Sequence, residues 1–243
     1  MSRGRVMAIV PAFNEEGAIG SVVAGIRELD PSFDVVVVDD ASTDETARVA
    51  AVHGATVLRL PINLGIGGAV QTGFRAALAG GYDFAVRLDG DGQHDPAELP
   101  KLLRPLEQGE ADVVTGSRFL DGDGEYRPPI ARRIGIRWFA RLVSVVTRAR
   151  VTDTTSGFQA FNRRGIALFA DDYPADYPEV EATVLVHRHD LRLVEVPVRM
   201  LEREHGSSSI TVVRSIYYML KVTLALLVSL ARKPTPPEGL PTR

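Results

Sequence analysis

The segment RLDGDGQHDP, residues 87–96, gathers four titratable side chains in one short turn after an apolar run: Asp89, Asp91, His94 and Asp95. Carboxylates packed this closely repel one another unless a cation or solvent separates them. Two interpretations follow. The turn is either a solvated connection in which Asp95-Pro96 caps the next helix, or a site that holds a divalent metal and a phosphorylated substrate.

The spacing of Asp89 and Asp91 favours the metal site. Side chains two residues apart in extended backbone point the same way, so both carboxylates, separated only by Gly90, can aim at one point. Gln93 offers a further, neutral oxygen ligand. Such hard oxygen donors suit Mg²⁺ or Mn²⁺. The chain has no cysteine and its five histidines are scattered, which makes a zinc site a poor alternative.

The elements that must position this turn alternate along the first half of the chain. The predicted strands are 6–10, 34–38, 56–60, 83–88 and 112–115, and the predicted helices are 15–29, one from about 44, 67–78 and one from about 96. Val/Ile/Leu runs separated by helices predict an α/β fold whose mostly parallel sheet is covered on both faces. Ligands of such sheets bind beyond the carboxyl ends of the strands. Those ends are followed by PAFNEEG, DDASTD, NLGIGG and DGDGQHDP.

The later part of the chain has a different character. Residues 118–135 are rich in Gly, Pro and charge and predict a long loop, which in a compact domain is usually functional or disordered. A helix over 136–147 and a strand over 191–200 follow. The tail, 233–243, is Pro-rich and is predicted to be disordered.

Residues 215–232 are almost wholly apolar, with Lys221 inside and Arg214 and Arg232 at the flanks. A membrane-spanning helix needs roughly 20 apolar residues, and this segment is slightly short and interrupted. Three interpretations stay open: a buried or dimer-forming helix, a helix on the membrane surface, and a membrane span. Basic flanks suit the surface position.

Composition narrows the class of protein. A length of 243 residues with 45% hydrophobic and 24% charged residues predicts a globular fold. The formal net charge of −3 gives no sign of nucleic-acid binding. The absence of cysteine excludes disulfides and thiolate chemistry. With only a short apolar run before Pro11, no secretory signal is predicted, and a cytoplasmic location is the expectation.

Seven motifs in order resemble the family-two glycosyltransferases of the GT-A fold: PAFNEEGAI, VVVVDDASTDET, NLGIGGAVQTG, LDGDGQHDP, VTGSRF, DTTSGFQAFNR and EREHGSSSI. The branch that the chain most resembles is the polyprenyl-phosphate sugar synthases, such as dolichyl-phosphate mannose synthase. The resemblance covers roughly residues 5–212. It implies a GT-A domain over 1–209, followed by an apolar membrane-associating or oligomerising helix over 210–232.

The resemblance also implies a donor site. Residues expected to line the pocket for the base and ribose are Pro11, Phe13, Glu15, Val38 and Asp40. Residues expected to hold the metal on the diphosphate of a UDP-, GDP- or dTDP-sugar are Asp89, Asp91 and Gln93. Gly90 is expected to contact the donor, and Arg203 is expected on the diphosphate itself. The competing interpretations are a helix cap for Asp39 and Asp40 and a core position for Phe13. Asp44 is expected to cap its own helix.

On the acceptor side, the resemblance implies that Ser117, Arg118, Arg132 and Arg133 bind a lipid phosphate. The planar fork of Arg suits phosphate oxygens, although a solvated basic loop would have the same composition. The chain departs from the synthases after Gly206. Where they usually have Lys, this chain has Ser-Ser-Ser-Ile, which puts the exact donor and acceptor in doubt.

The need for a general base depends on the acceptor. A phosphate monoester, with a second pKa near about 6, arrives deprotonated, whereas a sugar hydroxyl needs a base. Candidate bases are Glu179 and Glu181 in YPEVE and Asp153 in DTTSGF; a surface turn before a helix would also explain YPEVE. Direct displacement at the anomeric carbon would invert it, with the metal at Asp91 stabilising the departing nucleotide.

The sequence therefore predicts an inverting, metal-dependent hexosyltransferase that acts on polyprenyl phosphate and is peripherally bound to the cytoplasmic face of the membrane, with a homo-oligomer possible. The alternative acceptor is a sugar hydroxyl of a lipid-linked glycan in cell-wall or surface polysaccharide synthesis. A sugar-phosphate nucleotidyltransferase would open with a basic Gly-rich loop, and PAFNEEG is acidic. A dinucleotide-binding dehydrogenase fits poorly because GIGG follows the third strand. A non-catalytic module would be expected to lack the metal carboxylates or Arg203.

Overall fold

The computed structural model describes residues 4–120, 130–147, 151–174, 178–201 and 223. The strands are β1 (Val6–Ala12), β2 (Asp34–Asp39), β3 (Thr56–Arg59), β4 (Phe84–Arg87), β5 (Val113–Ser117), β6 (Gln159–Asn162) and β7 (Leu193–Pro197). The helices are α1 (Ile19–Leu29), α2 (Thr46–Val52), α3 (Gly65–Ala79), α4 (Leu99–Glu107), α5 (Ile130–Thr147), α6 (Arg163–Asp171) and α7 (Pro178–Arg188). A short 3-10 turn, Pro96–Glu98, precedes α4.

The strands form one seven-stranded sheet in the order β3-β2-β1-β4-β6-β5-β7. The pairs β1–β2, β1–β4, β2–β3 and β5–β7 are parallel, as the apolar runs separated by helices predict. Strand β6 runs antiparallel between β4 and β5. This α/β sheet flanked by helices confirms the predicted fold class.

The central strands, such as β1, are buried on both faces, with alternate residues serving two cores. In β1, Val6, Ala8 and Val10 pack on the face covered by α1 and α4, whereas Met7 and Ile9 pack on the face covered by α3 and α6. This alternation is the period of two expected of a strand. Because each face is filled by a separate cluster of apolar side chains, a register slip would expose one cluster and bury the wrong side chains in the other.

The structure corrects the predicted extent of the loop after β5. The sequence predicts a loop over 118–135 and a helix from 136, but α5 begins at Ile130. The helix follows Pro128-Pro129 in the sequence, and Pro is compatible with the flank and first turn of a helix. In the part of α5 whose side chains are described, Phe139 and Val143 pack against Val180 and Val184 of α7.

The apolar C-terminal segment 215–232, the tail 233–243 and the proposed domain boundary near 209 lie outside the described residues, apart from Thr223. Among the helices that the structure does describe, none combines the length and apolarity that crossing a membrane requires. The three interpretations of residues 215–232 therefore stay predictions.

Candidate active site

A cavity of about 270 Å³ opens at the carboxyl ends of β1, β2 and β4, where the sequence predicts ligand binding. The described residues that line it are Pro11, Ala12, Phe13, Glu15, Asp40, Ile66, Ala69, Arg87, Asp89, Gly90, Asp91 and Glu179. Eight of the predicted site residues thus share one cavity although they come from four separate segments of the chain. Its lining has five carboxylates, from Glu15, Asp40, Asp89, Asp91 and Glu179, and one guanidinium, from Arg87.

The turn after β4 places Asp89 and Asp91 on one wall of this cavity. Leu88 still donates its backbone N–H to Ile9 of β1, so the turn begins directly at the sheet edge. A side chain at Gly90 would place its Cβ 3.1 Å from the carbonyl oxygen of Pro11, which explains the glycine between the two carboxylates. Asp91 Oδ1 accepts the backbone N–H of Gln93 at 3.1 Å, which closes the turn.

His94 stabilises the same turn. Its ring is buried and stacks on Phe158 at 4.8 Å, and its Nδ1 accepts the backbone N–H of Asp89 at 2.9 Å. Burial lowers the pKa of His94 despite the opposing charges of Asp89 and Asp91, which favours the neutral ring that this hydrogen bond requires. Burial alone would raise the pKa of Asp89, but the charges around it, among them the guanidinium of Arg87 that contacts Oδ1, hold it below its usual value. Asp89 is therefore ionised and fixed at its backbone.

Arg87, the last residue of β4, is a site residue that the sequence interpretation misses. Its side chain is 1% exposed, and it donates to the Tyr173 hydroxyl and to Glu179 Oε1, both at 2.9 Å, and to Asp89 Oδ1 at 3.4 Å. Burial alone would lower the pKa of Arg87, but Tyr173, Glu179 and Asp89 more than offset it, so the guanidinium stays charged. The only signal for Arg87 in the sequence is an arginine that ends an apolar run.

Asp40 follows β2, on the other side of β1 from the turn after β4, and is 3% exposed. Its two carboxylate oxygens accept the backbone N–H groups of Leu64 at 2.7 Å and Gly65 at 2.8 Å, at the start of α3. The capping interpretation of Asp40 thus describes its contacts, although it caps α3 rather than the nearer α2. Each oxygen keeps a second lone pair that could accept from a ligand.

Apolar side chains flank Asp40 and offer a surface for a flat ring. Phe13 and Ile66 line the cavity and are 46% and 41% exposed, so Phe13 is not the core aromatic of the competing interpretation. Val38, predicted as a pocket residue, instead lies in the core and is outside the cavity lining. Pro11, beside it in the sheet register, is the residue that reaches the cavity.

Ser117, Arg118 and Asp153 form a second cluster outside the cavity lining, at the end of β5. Arg118 is paired with Asp153, and the Ser117 hydroxyl lies 2.7 Å from the Thr152 hydroxyl. Glu181 also lies outside the lining, because residues two apart on a helix do not share a face, and Glu179 takes the cavity side.

The remaining predicted residues cannot be placed as side chains. Arg132 and Arg133 lie within α5, but their side chains are outside the described part, as is all of Arg203. Leu201, close before Arg203 in the chain, donates its backbone N–H to the carbonyl of Gln93 at 2.9 Å. Gln93 itself is half-buried and lies beside the cavity lining rather than in it.

The donor set fits a hard divalent cation that keeps some of its own ligands. Within the described ranges, no group of three or more His, Asp and Glu side chains is arranged to hold a metal. Mg²⁺ is usually bound through one or two carboxylates, with substrate phosphates and waters completing its shell. Asp89 and Asp91 match that arrangement, so a metal would be held jointly by the protein and a bound diphosphate.

Two named relatives match this chain over most of its length. The undecaprenyl-phosphate mannosyltransferase of Micrococcus luteus is 36% identical over 216 residues, which cover 85% of this chain and 88% of that protein. The polyprenol monophosphomannose synthase of Mycolicibacterium smegmatis is 31% identical over 220 residues, covering 85% and 81%.

The fold also has a solved counterpart. Glucosyl-3-phosphoglycerate synthase of Mycobacterium tuberculosis, crystallised with Mn²⁺, UDP and phosphoglyceric acid, superimposes with a TM-score of 0.71 at 23% identity, over 96% of this chain and 80% of that one. The model of the family described as glycosyl transferase family 2 matches residues 7–168. The chain therefore belongs to glycosyl transferase family 2 and is a glycosyltransferase with the GT-A fold.

Proposed function

We propose that this glycosyltransferase moves a sugar from a nucleotide-sugar donor to a polyprenyl phosphate, with inversion and with a divalent metal. The observation that carries the proposal is the charge of the cavity, where the ionisable groups among the described lining residues are five carboxylates and one guanidinium. An anionic diphosphate would be repelled from such a lining unless a cation came between them. Mg²⁺ or Mn²⁺ at Asp89 and Asp91 supplies that cation.

The residues divide the donor between the two ends of the cavity. Phe13 and Ile66 contact the faces of the base, Asp40 and Glu15 accept hydrogen bonds from the base or ribose, and Asp89 and Asp91 face the diphosphate. A metal held there would neutralise the charge that builds on the departing nucleotide. The neutral amide of Gln93 and the guanidinium of Arg203 are proposed as further diphosphate contacts.

A phosphate acceptor is favoured by its chemistry and by the names of the relatives. A phosphate monoester reaches the anomeric carbon already deprotonated, so no side chain has to take a proton. Of the two relatives described above, one is named an undecaprenyl-phosphate mannosyltransferase and the other a polyprenol monophosphomannose synthase. The proposed phosphate ligands are Ser117, Arg118, Arg132 and Arg133, and the lipid substrate would keep the enzyme at the cytoplasmic face of the membrane as a peripheral protein.

One observation favours a second candidate, transfer to a sugar hydroxyl of a lipid-linked glycan. Glu179 lines the cavity, where it could act as a general base. Its Oε1 already accepts from the buried guanidinium of Arg87 at 2.9 Å, which is an unfavourable arrangement for a group that must take up a proton. We therefore place the hydroxyl acceptor second.

The test is a transfer assay with UDP-, GDP- and dTDP-sugars, undecaprenyl phosphate and Mn²⁺, scored for a charged lipid product. Asp91→Asn should reduce transfer by at least about 100-fold, because metal catalysis contributes several kcal/mol, and EDTA should abolish it in the wild type. Asp95→Asn is the matched control, since Asp95 stands in the same turn but caps the next helix through Ala97 N–H at 2.9 Å. Full transfer by Asp91→Asn in EDTA would refute the metal role, and product only with hydroxyl acceptors would favour the second candidate.

A further inference from the structure

Arg87 occupies a position where a charge is costly. It ends a strand whose preceding residues, Ala85 and Val86, are fully buried, and its own side chain is 1% exposed. Its Nε has no hydrogen-bond partner among the described residues. A buried ion pair is often less stabilising than apolar residues of similar volume. Stability of the fold therefore does not explain an arginine at this position.

The contacts of Arg87 join it to three other segments of the chain. Nη1 donates to the Tyr173 hydroxyl at 2.9 Å, on the segment after α6, and Nη2 donates to Glu179 Oε1 at 2.9 Å, in the first turn of α7. The same Nη2 also reaches Asp89 Oδ1 at 3.4 Å. Tyr173 and Glu179 thus fix the orientation of the Arg87 guanidinium, and its remaining contact is with Asp89.

Asp89 is held at two points that leave its other oxygen for a ligand. The ring of His94 accepts its backbone N–H, and Arg87 contacts Oδ1. The side chain of Asp89 is 36% exposed, in contrast to the buried Arg87. Its Oδ2 lies 3.8 Å from His94 Nε2, beyond hydrogen-bond distance. The direction of this oxygen is therefore set by the contacts that Oδ1 and the backbone N–H of Asp89 make.

We propose that Arg87 is a positioning residue, whose guanidinium, anchored by Tyr173 and Glu179, orients the Asp89 carboxylate for a divalent cation. The inference rests on the proposed function, because it presupposes a metal at Asp89. With its side chain 1% exposed, Arg87 acts through its contact with Asp89. Partners of this kind, one contact away from a metal, typically change metal affinity or activity by about 10–100-fold when altered.

The sign of the change in metal affinity distinguishes two effects of Arg87. One is its orientation of Asp89, and the other is the repulsion between its positive charge and the metal. A nearby cation repels a metal ion, so weakening the charge of Arg87 would tighten metal binding. Losing the orientation of Asp89 would weaken it. Arg87→Lys keeps the charge but replaces a two-nitrogen fork, which reaches three partners, with a single ammonium. Tyr173→Phe leaves Arg87 unchanged and removes one of its anchors.

The experiment measures Mn²⁺ affinity by electron paramagnetic resonance in the presence of UDP, or of GDP or dTDP if the donor assay selects it. We expect Mn²⁺ to bind Arg87→Lys about 10-fold more weakly and Tyr173→Phe about 3-fold more weakly, with metal-free nucleotide affinity unchanged and kcat lowered more than KM is raised. Arg164→Lys is the matched control. It is a largely buried arginine paired with a buried Asp112, and its Nε is also unpartnered within the described residues, but it lies outside the cavity lining.

The outcomes separate this inference from the proposed function. If the wild type binds Mn²⁺ and both Arg87→Lys and Tyr173→Phe bind it equally or more tightly, the positioning role is wrong while the proposed function stands. If Arg87→Lys does not fold, as judged by circular dichroism, Tyr173→Phe alone decides. If the wild type binds no Mn²⁺ with any of the three nucleotides, the proposed function fails and this inference fails with it.

Discussion

Arg118 and Asp153 form a two-point ion pair in which Nε donates to Oδ2 and Nη2 donates to Oδ1, both at 2.7 Å. The side chains are 7% and 0% exposed, and the Thr155 hydroxyl accepts a further bond from Arg118. The sequence gives these two residues separate roles, a phosphate ligand and a base. The geometry joins them into one buried unit, in which a base function for Asp153 would remove the counter-charge of Arg118.

Asp153→Asn should therefore lower the free energy of unfolding substantially and should have only a small effect on kcat. Removing one partner of a buried ion pair leaves the other charge uncompensated and costs about 3 kcal/mol, measurable as the free energy of unfolding in urea. Asp34→Asn is the control, because Asp34 pairs with Arg5 while more than half exposed, and such pairs contribute less than about 1 kcal/mol. Unchanged stability with a large loss of kcat would identify Asp153 as the base.

A substitution of Glu179 should distinguish a phosphate acceptor from a hydroxyl acceptor. In Glu179→Gln the amide oxygen can still accept the bond from Arg87, but the side chain can no longer take a proton. With a phosphate acceptor we expect kcat to fall by less than about 10-fold, whereas loss of a general base would cost about 10²–10⁴-fold. Glu181→Gln removes the same charge from the same helix, outside the cavity lining, and serves as the control. A loss of 10²-fold or more, confined to Glu179→Gln, would move the proposal to the hydroxyl acceptor.

The turn that carries Asp89 and Asp91 and the parallel strands are predictable from sequence because their signals are local. Val6 to Val10 form an unbroken apolar run of five residues, and Asp89 and Asp91 are separated by one glycine. The rule that ligands bind beyond the carboxyl ends of parallel strands then places these carboxylates and Asp40 at one edge. The shared cavity follows from topology that the strand pattern already specifies.

The contacts across the cavity are not predictable in this way, because they join distant segments. Glu179 meets Arg87 across 92 positions of the chain, and Asp40 meets Leu64 across 24. Strand β6 has four residues and runs antiparallel, so the run of predicted parallel strands gives no signal for it. Which of Glu179 and Glu181 faces the cavity depends on the rotation of α7, which is set by packing of Val180 and Val184 against α5.

Asp112 should make stability depend on acid pH. Burial alone would raise the pKa of Asp112, but hydrogen bonds from the Arg192 backbone and Asn162 and the charge of Arg164 hold it below its usual value. A carboxyl whose folded-state pKa is depressed stabilises the fold above the unfolded-state pKa of about 3.9, and this stabilisation is lost as the pH falls through the folded-state value. Asp112→Asn should lower the free energy of unfolding by about 2 kcal/mol at pH 7.

The measurement is urea unfolding of both proteins from pH 7 to pH 3. The difference between wild type and Asp112→Asn should be constant above about pH 5 and should shrink below about pH 4. A difference that persists unchanged at pH 3 would mean that the charge of Asp112 is not the stabilising property.

Gly157 should be favoured because a side chain at this position would crowd Arg87 and Asp89. A Cβ at this position would lie 3.0 Å from both carboxylate oxygens of Asp89 and from Arg87 Nη2. Gly157→Ala should therefore push the Asp89 carboxylate out of place and weaken Mn²⁺ binding and transfer by about 10-fold. Gly165→Ala is the matched control: its Cβ would lie equally close, 3.0 Å, to the backbone oxygen of Asp112, outside the cavity lining. It should lower stability but leave Mn²⁺ affinity unchanged. Equal Mn²⁺ affinities of Gly157→Ala and the wild type would show that Asp89 does not need its observed orientation to bind the metal.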